Sequence, residues 1–68
     1  MNNLDKLAEM LQSNPELQEK INAEVKRLAE SGEATGLIEG LDMAINNILG
    51  IDLTDDEIKV FIEESGNS

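Results

Sequence analysis

Four oxygen-bearing residues, Asp52, Thr54, Asp56 and Glu63, stand at the first, third, fifth and twelfth places of a calcium-binding loop, the strongest pattern for ligand chemistry in this 68-residue chain. The sixth place needs a glycine for its sharp turn and holds Glu57, and a helix start falls inside the segment, so calcium binding is not expected. Two carboxylate pairs, Asp55-Asp56 and Glu63-Glu64, have the residue types of a general acid and base. On exposed helix ends nothing lifts a carboxyl pKa toward neutrality, which that work requires. The chain has no histidine, cysteine or tyrosine, no phosphate-cradling glycine loop, and no nucleophile beside a base. No catalytic, cofactor-binding or metal-ligating residues are assigned, and the sequence reads as a non-enzyme.

The carboxylates remain a charge feature. The net charge is -10, with six acids against four bases in residues 1–30 and nine acids against Lys59 alone in residues 31–68. Affinity for nucleic-acid phosphates comes from lysine and arginine displacing counterions, so direct nucleic-acid binding is disfavoured and a protein partner with a basic surface is favoured. The candidate partner-binding residues are Glu39, Asp42, Asp52, Asp55, Asp56, Glu57, Glu63 and Glu64, with Met43 and Val60 as apolar companions. Met10 and Val25 are further apolar residues expected at the surface. A purely solubilising role for the acids is the alternative reading.

The elements that position these residues are helices. Leu4, Leu7, Ala8 and Leu11 recur at helical spacing, and Pro15 must end or kink that first helix. Asn14, Pro15 and Glu16 supply an expected side-chain cap, a preset φ and a negative charge at the dipole's positive end, so a second helix starts at Pro15. Leu17, Ile21, Val25 and Leu28 carry its apolar stripe until Ser31-Gly32 stops it, with an exposed Glu16–Lys20 pair on its surface. Leu37, Ile38, Leu41, Ile45 and Ile48 predict a third helix from Ala34, closed by Gly50. Within it Gly36, Gly40 and Ala44 stand four apart, a row that suits a close helix crossing or, secondarily, a homodimer seam.

Thr54 and Glu57 have the spacing of a capping box, with Leu53 as its hydrophobic staple. The fourth helix then presents Ile58, Phe61 and Ile62 to the core, and Phe61, the only aromatic, is expected to anchor it. The predicted fold is all-α, a small bundle of three to four short helices at about 3–13, 15–31, 34–49 and 55–64. One domain spans 1–64, with a flexible C-terminal end at 65–68. At this length a single core is near the lower limit of independent stability, which leaves room for help from a partner or from self-association. No basic region followed by an apolar run opens the chain and no stretch reaches membrane-spanning length, so a soluble, cytoplasmic protein is expected.

Two family patterns bear on these helices. Acyl carrier proteins share the size and acidity but need a serine within Asp-Ser-Leu at a helix start, and Ser13, Ser31, Ser65 and Ser68 all lack that setting. The segment Leu7-Ala8-Glu9-Met10-Leu11-Gln12-Ser13-Asn14-Pro15-Glu16-Leu17-Gln18-Glu19-Lys20-Ile21, within Leu4 to Ala23, resembles the opening helix, polar-proline-glutamate break and second helix of the Nif11-like leader-peptide family. Leu49-Gly50-Ile51-Asp52-Leu53-Thr54-Asp55-Asp56-Glu57-Ile58 is similar to that family's later helix start. Together the two pieces cover about half the chain. The resemblance implies a helical recognition region read by a peptide-modifying enzyme. The chain differs from the family in a longer segment from Glu24 to Ile48, in Leu7 or Leu11 standing where an aromatic is common, and in lacking a Gly-Gly type cleavage pair at the C-terminal end. The resemblance therefore implies a leader without its core peptide, or a stand-alone relative that kept the docking fold. An alternative function is an acidic inhibitor or nucleic-acid mimic, such as a phage anti-CRISPR, whose carboxylates stand in for phosphates.

Overall fold

Pro15 divides the first thirty residues as its chemistry requires. In the computed structural model, which describes residues 2–66, α1 (Asn3–Ser13) and α2 (Glu16–Ser31) meet at Asn14-Pro15. Asn14 is outside the helical region at φ -142°, ψ 86°, as the steric demand of a following proline requires, while Pro15 sits at φ -59° in the helical region. The expected Asn14 side-chain cap does not form. Its backbone serves both helices instead: the N–H donates to the Met10 carbonyl (2.9 Å) and the carbonyl accepts from the Leu17 N–H (3.0 Å). At the other end of α1, Asn2 is the residue that caps, accepting from the Asp5 N–H at 2.8 Å.

Two left-handed glycines end the next two helices. Gly32 (φ 82°) closes α2 with paired bonds, Gly32 N–H to Ala29 carbonyl (3.3 Å) and Glu33 N–H to Leu28 carbonyl (3.0 Å), the Schellman arrangement. Gly50 (φ 70°) closes α3 (Leu37–Leu49) with a single bond to the Asn46 carbonyl at 2.9 Å. Helix α3 starts at Leu37 and not at Ala34, because the Ala34 N–H is engaged by the Leu28 carbonyl at 3.2 Å and Ala34 is buried from the loop. Leu37 is thereby left 56% exposed at the first helical position.

The capping box at the start of α4 (Asp55–Gly66) forms in both directions: the Glu57 N–H donates to Thr54 Oγ1 (3.2 Å) and the Thr54 N–H donates to Glu57 Oε1 (3.0 Å). Leu53, beside it, is buried. Replacing Thr54 with alanine is expected to cost about 1 kcal/mol, while serine in its place keeps the acceptor and most of the stability. Urea unfolding followed by circular dichroism checks the difference. Helix α4 runs on through Ser65 and Gly66, past the Glu64 boundary expected from sequence, and Asn67 and Ser68 lie outside the described residues.

All four helices and both longer connections feed one core: Leu7 from α1, Ile21 and Leu28 from α2, Leu41, Ala44 and Ile45 from α3, Ile58 from α4, with Ala34, Ile51 and Leu53 from the connections. No buried residue among those described is polar or charged. The α2–α3 pair is the main packing interface, with α1 laid against α2 and α4 against α3. A radius of gyration of 11.2 Å matches the roughly 11 Å of a fully packed chain of this length. Phe61 lies at the edge, half-buried against the cluster, and Ile58 takes the central place in α4 that sequence reasoning gave to the aromatic.

The row of small residues does serve a close intramolecular crossing, though not at every member. A Cβ built on Gly40 would lie 3.2 Å from Val25 Cγ1 on α2 and 3.7 Å from Ala34 Cβ. Ala44 is fully buried, whereas Gly36 faces open space. No helix among the described residues is long and apolar enough to cross a membrane.

Candidate functional site

The connection from α3 to α4 gathers the acids that matter. Asp42 occupies the middle of α3, Asp52 the turn after Gly50, and Asp55 the first turn of α4. The turn is tied to the far end of the chain by a 2.7 Å bond from the Asn3 side-chain amide to the Asp52 carbonyl. Asp52 and Asp55 are exposed, while Asp42 is half-buried and its Oδ1 is shut off from solvent with no hydrogen-bond donor. Burial raises the Asp42 carboxyl above the ordinary aspartate range, and the negative charges of Asp52 and Asp55 push it further the same way.

Of the other sequence-predicted site residues, Asp56 extends this corner along the exposed first turn of α4, and Glu39 lies exposed one turn before Asp42 on α3. Glu57 is half-buried and spends its carboxylate on the Thr54 N–H. Glu63 and Glu64 stand about 12 Å of helix rise beyond Asp55, toward the opposite end of α4. Val60 is exposed as expected, and Met10 is also exposed. Met43 and Val25 are not surface residues in that sense: both are half-buried and pack against the core cluster, Val25 because Gly40 admits it. Leu37, placed by its spacing in the apolar stripe of the third helix, is instead the most exposed large apolar side chain among the described residues. Gly36 was its signal, since an extended glycine (φ -161°, ψ 172°) is the actual N-cap of α3.

Cations do not neutralise the corner. The ion pairs among the described residues both belong to Arg27, which grips Glu24 through Nε (2.8 Å) and Nη2 (2.9 Å) and reaches Glu33 at 3.4 Å. The bidentate Arg27 bond holds Glu24 down at about 2, with a further bond from Asn47 joining α2 to α3. This pair replaces the Glu16–Lys20 pair expected from spacing.

The described surface carries shallow depressions, one of about 550 Å³ along α2 lined by Ala23, Lys26, Arg27, Glu30 and Ser31. A shallow depression of about 420 Å³ between α2 and the start of α3 is lined by Val25, Ala29, Ala34, Thr35, Gly36 and Leu37, without a titratable group. Another of about 400 Å³ at the α1–α2 bend holds Glu9 among Met10, Ser13, Asn14 and Leu17. At the depression beside the start of α3, the Thr35 hydroxyl donates to the exposed Glu39 carboxylate at 3.4 Å, and nearby the Ser31 hydroxyl donates to the exposed Glu33 carboxylate at 2.9 Å. The carboxylates do not converge as a metal cage does: no three among the described residues surround a common point. Thr54, at the third place of the calcium pattern, already accepts from the Glu57 N–H through its Oγ1. What the corner can do is electrostatic: it projects a dense, uncompensated negative field.

Comparison with protein-family models, with curated proteins and with solved structures finds no match.

Proposed function

We propose that this chain is a non-catalytic helical module that docks onto a protein partner with a basic surface, using the acidic α3–α4 corner. The carrying observation is that Asp42, Asp52 and Asp55, on three successive segments, are near enough for the charges of Asp52 and Asp55 to act on Asp42, and none of the three forms an ion pair among the described residues. A rigid turn, braced by the capping box and by Asn3, keeps their charges in register. A basic groove on the partner would relieve the mutual repulsion on binding, and the field would steer the encounter. Val60 and Leu37 add exposed apolar area, though they stand on different helices. In its most specific form the role is leader-like recognition by a cytoplasmic peptide-modifying enzyme, supported by the bend at Pro15 and the capped start of α4, the two places where the sequence resembles that family.

Association is expected to weaken as salt rises. Between about 0.01 M salt, with a screening length of ~30 Å, and about 1 M, where it is ~3 Å, the association rate should fall roughly tenfold or more. Stopped-flow mixing with the isolated partner measures it, and a rate independent of salt removes the electrostatic mechanism.

The charge asymmetry favours a second reading, an acidic inhibitor that occupies a nucleic-acid-binding surface. Competition separates the two: DNA or RNA displaced from the partner by this chain supports the mimic, and simultaneous binding supports the docking module.

A further inference from the structure

We propose that Asp42 makes the α3–α4 corner a proton-gated element, in which uptake of one proton by a half-buried carboxyl tightens the packing of α3 on the turn and α4. The inference concerns the chain alone and stands whether or not the docking reading holds. Its basis is geometric. Asp42 Oδ1 is enclosed and receives no hydrogen bond, so one of the two oxygens that share the carboxylate's charge is held where no donor among the described residues stabilises it.

The charged groups around it deepen the penalty. From the turn comes Asp52 and from α4 comes Asp55, both negative. On α3 itself Glu39 lies one turn away. From α2, the charged side chain bonded to α3 is Glu24, through Asn47, and that carboxylate is already gripped by Arg27. Lys59 stands one turn beyond Asp55 on α4 and forms no ion pair with any of these acids. Protonation removes the buried charge, ends its repulsion with Asp52 and Asp55, and leaves a neutral carboxyl that is cheaper to enclose.

The sign follows from linkage. Asp42 binds its proton more tightly folded than unfolded, so its contribution to stability is fully present below the ordinary aspartate value of 3.8 and is lost as pH rises through the elevated folded value. Glu24 works oppositely: its contribution is present above 4.5 and is lost as pH falls toward about 2. The fold is therefore most stable on the acid side of neutrality, between these two losses.

Urea unfolding of the parent, Asp42→Asn and Glu63→Gln at a series of pH values from about 7 down to about 4 tests the device. Glu63 is exposed and removes the same unit of charge, so it controls for the general relief of a net charge of -10. The parent and Glu63→Gln should both gain a higher urea midpoint as pH falls, while Asp42→Asn starts higher at pH 7 and loses most of that gain. Direct NMR titration of the Asp42 carboxyl carbon in the parent should give a midpoint above the ordinary aspartate value, a reading that does not depend on any variant folding. An Asp42 midpoint at or below that value overturns the proposal. So does a gain in Asp42→Asn equal to that in Glu63→Gln.

Discussion

Ile45→Ala is expected to remove about 2 to 5 kcal/mol of stability, a large share of what a chain of this length has, and to lower its thermal midpoint by about 10 °C or more. Ile45 is fully buried on α3, the helix that packs against both α2 and α4, and it belongs to a core supplied by all four helices. Truncating such a side chain removes its transfer free energy and leaves a cavity, together about 2 to 5 kcal/mol. A domain of this length has about 3 to 10 kcal/mol of net stability to lose. Disulfides cannot make up the difference, since the chain has no cysteine. Helical circular dichroism and its thermal transition report the outcome directly. Leu37→Ala is the matching control: the same class of change at a 56% exposed site should alter stability by only about 0.5 kcal/mol. Comparable losses in the two variants would contradict the placement of the core.

Gly40→Val carries the second large effect, and it tests the α2–α3 crossing itself. The first added carbon already lies 3.2 Å from Val25 Cγ1, and valine sets two more beyond it. Val25 cannot easily swing aside, because a β-branched residue in a helix is held in one χ1 rotamer. Overpacking of this kind costs about 1 to 3 kcal/mol. Combining it with Val25→Ala should recover most of the loss, giving a coupling of about 0.5 to 3 kcal/mol in a double-mutant cycle measured by urea unfolding. A neutral Gly40→Val, or a cycle with no coupling, would mean that the two helices do not meet there.

These two residues also show what the sequence could and could not reveal. Gly40 and Ala44 were legible as a close-crossing row because spacing along one helix places small residues on one face. The neighbour that fills the gap was not, since Val25 is brought there by the whole α2–α3 packing, and it had been read as a surface residue. Thr54-Glu57, Gly32 and Gly50 were legible for the same local reason: caps and left-handed stops bond within one turn of the chain. Ala34 misled because its apolar character continues the α3 pattern, yet the bond to Leu28 that ends α2 holds its backbone outside the helix. In the candidate site the charges of Asp42, Asp52 and Asp55 were visible as composition. The enclosed oxygen of Asp42 was not, because burial of a side chain on α3 depends on tertiary packing that spacing along one helix does not show.

The same distinction underlies the proposed docking role. Arg27 and its two acids are three charged residues that settle among themselves on α2 and the following loop, whereas the exposed Asp52 and Asp55 of the corner form no ion pair among the described residues. Charge that is already paired within a chain does little for recognition, and charge left unpaired at a rigid turn is available to a partner.

The most direct test is a matched-charge comparison on the immobilised chain. Asp42, Asp52, Asp55 and Asp56 are changed together to asparagine in one variant, and the exposed Glu9, Glu16, Glu19 and Glu30 of α1 and α2 to glutamine in the other, so that each loses four negative charges. Both are first shown to be folded, and binding of the cationic protein retained by the parent from its native host is then measured for each. Loss of that protein with the first variant and its retention with the second is the predicted result. Equal binding by both variants, or loss with the α1–α2 variant alone, would contradict the claim that the α3–α4 corner is where this protein meets its partner.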